Sequence, residues 1–293
     1  MPRLAICMVS FNCLAVIKDC LDSLDRSDFR DFEVVVVDNG SVDGTLEFLR
    51  PRTDLTLIEN GYNAGFTKGT NQGIAATTGE YVMWLNTDTI LEPDSLGALV
   101  RFLDEHPKAG VVGPRVLNAD GSFQPQCKRG LPTPMASLCY ALGLDRVFPH
   151  NHTIAGYLMR YSPDTVAAEV AGVSGCCLLA RRSVHEEIGP LDEEMFAFGE
   201  DVEWCVRAKE HGWQVWYYPG SQIVHLKGQG GAHARPYKKV RAMHDCMWIF
   251  YRKHLSPKYP RIVTALVHGG IKASLAASLS KVWLAKRLAA ARG

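Results

Sequence analysis

Three short polar clusters carry side chains able to hold a polar ligand or a metal ion. They are Ser10-Phe11-Asn12, Asp38-Asn39-Gly40-Ser41-Val42-Asp43-Gly44-Thr45 and Asn86-Thr87-Asp88. Each follows a short apolar run directly. Their hydroxyls, amides and carboxylates can donate to or accept from a ligand, and an Asp is a natural partner for a hard divalent cation. Taken singly, each is ordinary turn chemistry, because Asn, Asp, Gly and Ser are what any strand-to-helix loop uses. Three at one rim of a sheet point to a site. A fourth cluster, Glu200-Asp201-Val202-Glu203, opens a helical pattern, where the positive helix end favours carboxylates. Its plain reading is a complement to that dipole, with Glu203 and Arg207 as an outward i,i+4 pair.

The elements that must position these residues follow from periodicity. Leu4–Val9, Phe32–Val37, Leu55–Glu59 and Tyr81–Leu85 read as buried strands. Leu14–Leu24 and Phe66–Thr77 read as helices between them, and Pro93 opens another that reaches about Leu103. Val111–Val112 is a further short strand. This βαβα rhythm predicts an α/β fold with a mostly parallel central sheet flanked by helices, and ligands in such sheets bind at the carboxyl ends of the strands. Residues 115–170 read as irregular, with a hairpin signal at Asn118–Gly121. A strand at Cys176–Ala180, a helix from Glu200 and a strand pair at Gln214–Tyr217 and Gln222–His225 follow. The stretch 226–241 reads as a mobile loop, and 242–255 and 271–290 as helices.

Composition narrows the class. The 293 residues are 47% hydrophobic and 22% charged, which excludes a disordered, collagenous or coiled-coil chain. The net charge of +1 hides an asymmetry: residues 1–225 hold 18 Lys/Arg against 30 Asp/Glu, and 226–293 hold 14 against Asp245 alone. The basic end calls for an anionic partner. Nine scattered cysteines without a CxxC pair predict a reduced, cytoplasmic chain without structural zinc. Leu4–Ile17 mimics a signal peptide but is followed at once by Lys18-Asp19 and by no cleavage site. His268 and Lys272 interrupt the best candidate for a membrane span, so none is expected. No GxGxxG follows the first strand, and in Gly65-Phe66-Thr67-Lys68-Gly69-Thr70 the Lys precedes the Gly, so neither a dinucleotide-binding fold nor a P-loop is supported.

The ordered succession of motifs resembles family 2 glycosyltransferases, which have the GT-A fold. It runs through Ser10-Phe11-Asn12, Val37-Asp38-Asn39-Gly40-Ser41, Asn60-Gly61-Tyr62-Asn63-Ala64-Gly65-Phe66, Asn71-Gln72-Gly73 and Leu85-Asn86-Thr87-Asp88. Gly189-Pro190-Leu191-Asp192-Glu193, Glu200-Asp201, Arg207, Pro219 and His225 continue it, over roughly residues 4–228. Within the family the chain is similar to rhamnosyltransferase-like enzymes of surface polysaccharide synthesis. The resemblance implies a GT-A domain over 1–228, with a donor-binding half to about 115 and an acceptor half to 228, then a basic loop and C-terminal helices over 229–293.

It also implies roles. The protein would be an inverting transferase that moves a sugar from a dTDP- or UDP-sugar to an acceptor hydroxyl, with Asp201 as the base and Glu200 orienting the acceptor. Asp88 and His225 would hold a divalent cation, Mn2+ or Mg2+. The family's D-x-D reads Asn86-Thr87-Asp88 here, so its first carboxylate is missing. Ser10, Phe11, Asn12, Asp38, Asn39, Asn63, Lys68, Asn71, Asn86 and Thr87 would line the nucleotide-sugar, with Asp38 accepting the imide N–H of the base. Lys227, Arg235, Lys238, Lys239 and Arg241 are candidates for a lid over the diphosphate. The basic C-terminal helix, with Trp283, is read either as a peripheral contact with the inner face of the cell membrane or as a helix packed on the core or on a second subunit of a homo-oligomer. The expected partners are a nucleoside-diphosphate sugar and a glycan or lipid-linked acceptor, with no nucleic acid. Rival readings are a degenerate nucleotide-sugar-binding protein and a sugar nucleotidyltransferase.

Overall fold

A computed structural model describes residues 1–228 and 236–290. The chain begins with β1 (Leu4–Ser10), α1 (Leu14–Asp25), β2 (Phe32–Asp38), α2 (Thr45–Leu49), β3 (Thr56–Glu59), α3 (Phe66–Ala75), β4 (Tyr81–Leu85), β5 (Thr89–Leu91), α4 (Ser95–Glu105) and β6 (Ala109–Leu117). After it come β7 (Lys128–Arg129), α5 (Pro134–Ala141), α6 (Leu144–Val147), β8 (Ala168–Glu169), β9 (Gly172–Val173), β10 (Cys177–Arg181), α7 (Arg182–Ile188), α8 (Glu200–Glu210) and β11 (Gln214–His225). The chain closes with α9 (Pro236–Phe250), a π-turn over Tyr251–Leu255 and α10 (Arg261–Ala290).

The main sheet has the order β3-β2-β1-β4-β10-β6-β11-β5, with β8 added on β11. β1, β2, β3 and β4 are mutually parallel, as the βαβα rhythm requires, and β6 runs parallel to β11. β10 lies antiparallel between β4 and β6, and β5 and β8 pair antiparallel with β11, so the sheet is mixed. β1 and β4 are apolar throughout because helices cover both faces, which removes the alternation of a half-exposed strand. Trp84 of β4 meets Trp204 of α8 edge-on at 5.1 Å, and the Trp204 indole donates to the Gly189 carbonyl. All nine cysteines are free and buried.

Several elements differ from the sequence expectation. The strand pair at 214–225 is one strand, with a bulge between Tyr218 and Gln222 where Pro219 and Gly220 interrupt the ladder. Residues 115–170, read as irregular, contain two short helices and two short strands. Residues 236–241 begin α9 rather than continuing a loop, and Arg235 lies outside the described residues. The last helix begins at Arg261, not 271. Over Arg261–Leu288 it is long and apolar enough, by length and composition, to cross a membrane, contrary to the expectation from its two interruptions. A second small core joins Val202 and Val206 of α8 to Cys246 and Phe250 of α9, with Leu131 and Val267 against it.

Candidate active site

The β2 loop is built around one carboxylate. Asp38 is fully buried, and its Oδ1 accepts the Gly40 and Ser41 N–H groups at 2.9 and 2.8 Å. Its Oδ2 accepts the Ser10 and Ser41 hydroxyls at 2.7 and 2.6 Å. Every favourable direction on that carboxylate is occupied. Asp38 and Ser10 thus shape the loop from inside. Asn39, 2% exposed, donates to the Gly65 carbonyl at 3.0 Å and accepts from Asn60, so it braces two loops. Asn71 is also a brace: it grips the Leu191 backbone in both directions and donates to Glu193.

Asn12 sits in the left-handed region at φ 47° and accepts the Val42 N–H at 2.8 Å, while Cys13 holds the N-cap position of α1 without a side-chain hydrogen bond to it. Phe11 beside it is partly exposed at the strand end. Asn63 accepts the Gly65 N–H in a tight turn, and Lys68 is exposed on α3.

Asp88 and His225 come together. β5 and β11 pair with Thr89 opposite His225, which brings Asp88 Oδ1 to 3.2 Å from His225 Nε2. Gln124 fixes the ring from the other side: its Oε1 faces Nδ1 at 3.2 Å and its amide donates to the His225 carbonyl. Burial opposes charge on this imidazole, but Asp88 and the Cys176 thiol hold its proton and push the pKa up to about 10. Burial likewise opposes charge on Asp88, and contact with His225 outweighs it, so the carboxyl titrates below its ordinary range. Asn86 donates its N–H to the Cys176 carbonyl at 2.9 Å, and Thr87 is buried beside the Cys13 thiol.

Glu200 and Asp201 open α8, and the structure separates them. Asp201 Oδ2 accepts from the Arg129 guanidinium and from the Gly175 N–H, the latter at 2.8 Å; among the described residues Oδ1 accepts only the Val202 N–H. Arg129 also donates to the Val173 carbonyl at 3.1 Å. Burial opposes its charge, but Asp201 keeps it protonated. Glu200 is 6% exposed, and among the described residues its Oε2 has no hydrogen-bond partner. Burial, and then the neighbouring Asp201 charge, push its pKa up to about 8. Glu203 does not face outward as expected: it is 2% exposed and binds both Arg207 and His254.

Sequence reasoning missed Arg129, Gln124 and the segment Ser174-Gly175-Cys176. No local pattern marks them, since Lys128-Arg129 reads as any exposed basic pair and only the β7–β9 pairing brings Arg129 to α8. The loop after β4, the Asp88–His225 pair and the start of α8 meet around Ser174–Cys176.

The family model of "Glycosyl transferase family 2" matches residues 5–189. The chain belongs to that family. Over 243 residues it is 30% identical to the N-acetylglucosaminyl-diphospho-decaprenol L-rhamnosyltransferase of Mycobacterium tuberculosis, a match that covers 78% of each chain. This glycosyltransferase is thus rhamnosyltransferase-like, as its motifs indicate. In structure it is similar to the mannosyltransferase PcManGT from Pyrobaculum calidifontis, solved with GDP-Man and Mn2+ (TM-score 0.61, 20% identity, all of this chain and 76% of that one). It is also similar to S. aureus TarS 1–349 in complex with UDP (TM-score 0.56, 20% identity, 86% of this chain and 66% of that one). These likenesses show the GT-A fold. The family match ends before Glu200, Asp201 and His225.

Proposed function

We propose that this glycosyltransferase moves a sugar, rhamnose by its likeness to the mycobacterial relative, from a dTDP- or UDP-sugar to a hydroxyl of a lipid-linked glycan. The step is a single inverting displacement. What supports this reading is the segment Ser174–Cys176, which touches both parts of the machinery. The Gly175 N–H holds Asp201, and the Cys176 thiol lies beside His225 while its carbonyl receives Asn86.

In the step, the acceptor oxygen bonds to the anomeric carbon as that carbon's bond to the diphosphate oxygen breaks. The bonding pair leaves with the diphosphate, and the hydroxyl proton goes to Asp201. Arg129 and Gly175 fix Oδ2, so Oδ1 keeps a lone pair for that proton. The positive end of α8 favours a carboxylate there. The nucleobase packs against Phe11 and the backbone of the loop that Asp38 shapes.

Asp88 and His225 fit a divalent cation. Their 3.2 Å separation is close to the roughly 3 Å between neighbouring ligands held about 2.1 Å from one ion. An imidazole ligand tilts the choice toward Mn2+ over Mg2+, and ligation requires His225 to release its proton. Among the described residues no third such ligand joins them, so these two side chains would hold the ion together with oxygen ligands from outside the protein. When bound, the ion neutralises the charge on the leaving diphosphate. A lipid-linked acceptor places this work at the inner face of the cell membrane, where the basic C-terminal helix makes peripheral contact.

The test is calorimetric titration of UDP, dTDP, GDP and CDP with and without Mn2+, on the wild type and Asp201→Asn. Metal-strengthened binding of UDP or dTDP is expected. The variant should keep that affinity while turnover falls by about a hundredfold to ten-thousandfold. Preference for GDP would overturn the donor assignment, and a fully active Asp201→Asn enzyme would overturn the base.

A further inference from the structure

The last helix has two apolar faces, and only one of them is covered. Val263, Val267, Ile271 and Leu275 are half-buried toward α9. Polar and ring contacts fix the pairing antiparallel: Trp248 stacks on His268 at 4.2 Å, His244 meets Ser274 at 3.1 Å, and Lys286 lies over Tyr237 at 4.9 Å. The opposite face carries Ile262, Leu266, Ala273, Ala277, Leu284 and Leu288, a strict alternation of four- and seven-residue steps that keeps them on one stripe. All six are exposed, Ile262 and Leu266 by 70%. Arg261, Lys272, Lys281 and Arg287 are exposed along the same helix, Lys286 turns to Tyr237 of α9, and no acidic residue follows Asp245.

We propose that this outer face of α10 is the protein's seat on an anionic lipid surface, with the helix lying in the plane of the headgroups. This deepens the lipid-linked-acceptor reading and rests on it for its purpose. Charge decides the occupant. A second copy in a two-fold dimer would set a purely basic helix against itself, whereas anionic headgroups complement it. A span is disfavoured because it would strip the contacts with α9 and carry Lys272 into hydrocarbon. Trp283, half-exposed beneath the Arg287 guanidinium at 4.3 Å, is the amphipathic ring expected at an interface. A groove of about 350 Å³ lined by Tyr237, Arg241, Leu279, Ser280 and Trp283 opens beside it, with the size and polarity to take a phosphate headgroup.

The placement serves the reaction. α9 begins beside the active site: Lys238 lies over Phe196 at 5.4 Å, Lys239 lies over Phe198, and Asp88 acts on the Lys239 charge. Tyr237, next to them, touches Lys286. The end of α10 that bears Trp283, Lys286 and Leu288 therefore borders the site, and the bilayer it rests on would present a lipid-linked acceptor there.

The test is flotation of the full chain with phosphatidylcholine vesicles, with and without about 30 mol % phosphatidylglycerol. A variant combining Leu266→Glu, Leu284→Glu and Leu288→Glu is run beside it, with circular dichroism and nucleotide titration confirming its fold. The wild type should float only with anionic vesicles and detach in about 1 M salt, and the variant should lose at least about tenfold in binding. The proposal is overturned if the wild type ignores anionic vesicles, if the folded variant binds as well, or if salt fails to release it, which would mean insertion. A dimer in sedimentation that the variant dissolves, without vesicle binding, would assign the face to a second copy. Nucleotide titration without vesicles separates the two readings: nucleotide binding without flotation overturns only the lipid seat, and flotation without nucleotide binding overturns only the proposed function.

Discussion

Glu200 and Asp201 are adjacent, chemically alike and placed in opposite surroundings. Asp201 has a guanidinium and two backbone N–H groups, whereas Glu200 has an unpartnered oxygen in a dry place. The side chains packed on Glu200 are Asp201 on its own helix, Arg129 from β7 and the Cys246 thiol from α9; Arg129 and backbone N–H groups at Phe198–Glu200 favour its charge, and burial with Asp201 outweighs them. Because the folded-state pKa of about 8 lies above the ordinary 4.5, the folded protein holds a proton that the unfolded chain releases. That contribution to stability is complete below about pH 4.5 and is lost as pH rises through 8. Glu200→Gln cannot ionise. Its stability should equal the wild type's near pH 4.5 and exceed it increasingly toward pH 8, by a margin on the order of a few kcal/mol that raises its melting temperature accordingly. A constant difference across that range in a thermal melt would show that Glu200 does not hold the proton.

At the scale of elements, the loop before α3 is held by a contact from the segment before α8. Gly65, at φ +92°, leads into α3, and a Cβ there would lie 2.8 Å from both the Phe196 ring and the Phe196 carbonyl. The Phe66 N–H donates to that same carbonyl. Gly65→Ala should therefore cost about 1–3 kcal/mol through left-handed strain and the clash, and should weaken nucleotide binding together with stability. Denaturant unfolding beside calorimetry checks this, and unchanged values in both would show that the loop accommodates the methyl group. The strand ends and polar clusters of this half were legible in the sequence because each buried strand is a continuous apolar run closed by polar residues. The roles of Asp38, Asn39 and Asn71 were not, because a turn-forming Asp or Asn and a ligand-contacting one have the same local sequence.

For the whole molecule, the site lies where loops from both halves meet, so its occupation should be felt globally. UDP with Mn2+ at about one hundred times the dissociation constant adds about 2.7 kcal/mol to the folded state. The melting temperature should rise by several degrees, and by less with the nucleotide alone. A thermal shift that Mn2+ leaves unchanged would remove the cation from the proposed site.

The sequence by itself determined the GT-A architecture, the family, the candidate positions on the sheet rim and the concentration of positive charge beyond residue 225. Those properties are carried by local periodicity, by the order of motifs and by composition, all of which are local or additive along the chain. Tertiary structure decided the rest. It turned Asp38 inward, paired Asp88 with His225 across β5 and β11, and brought Arg129 from a featureless segment onto Asp201. It also covered one face of α10 and left the other exposed. Each of these depends on which distant backbone lies within hydrogen-bonding or van der Waals reach, a distance that local residue spacing does not encode.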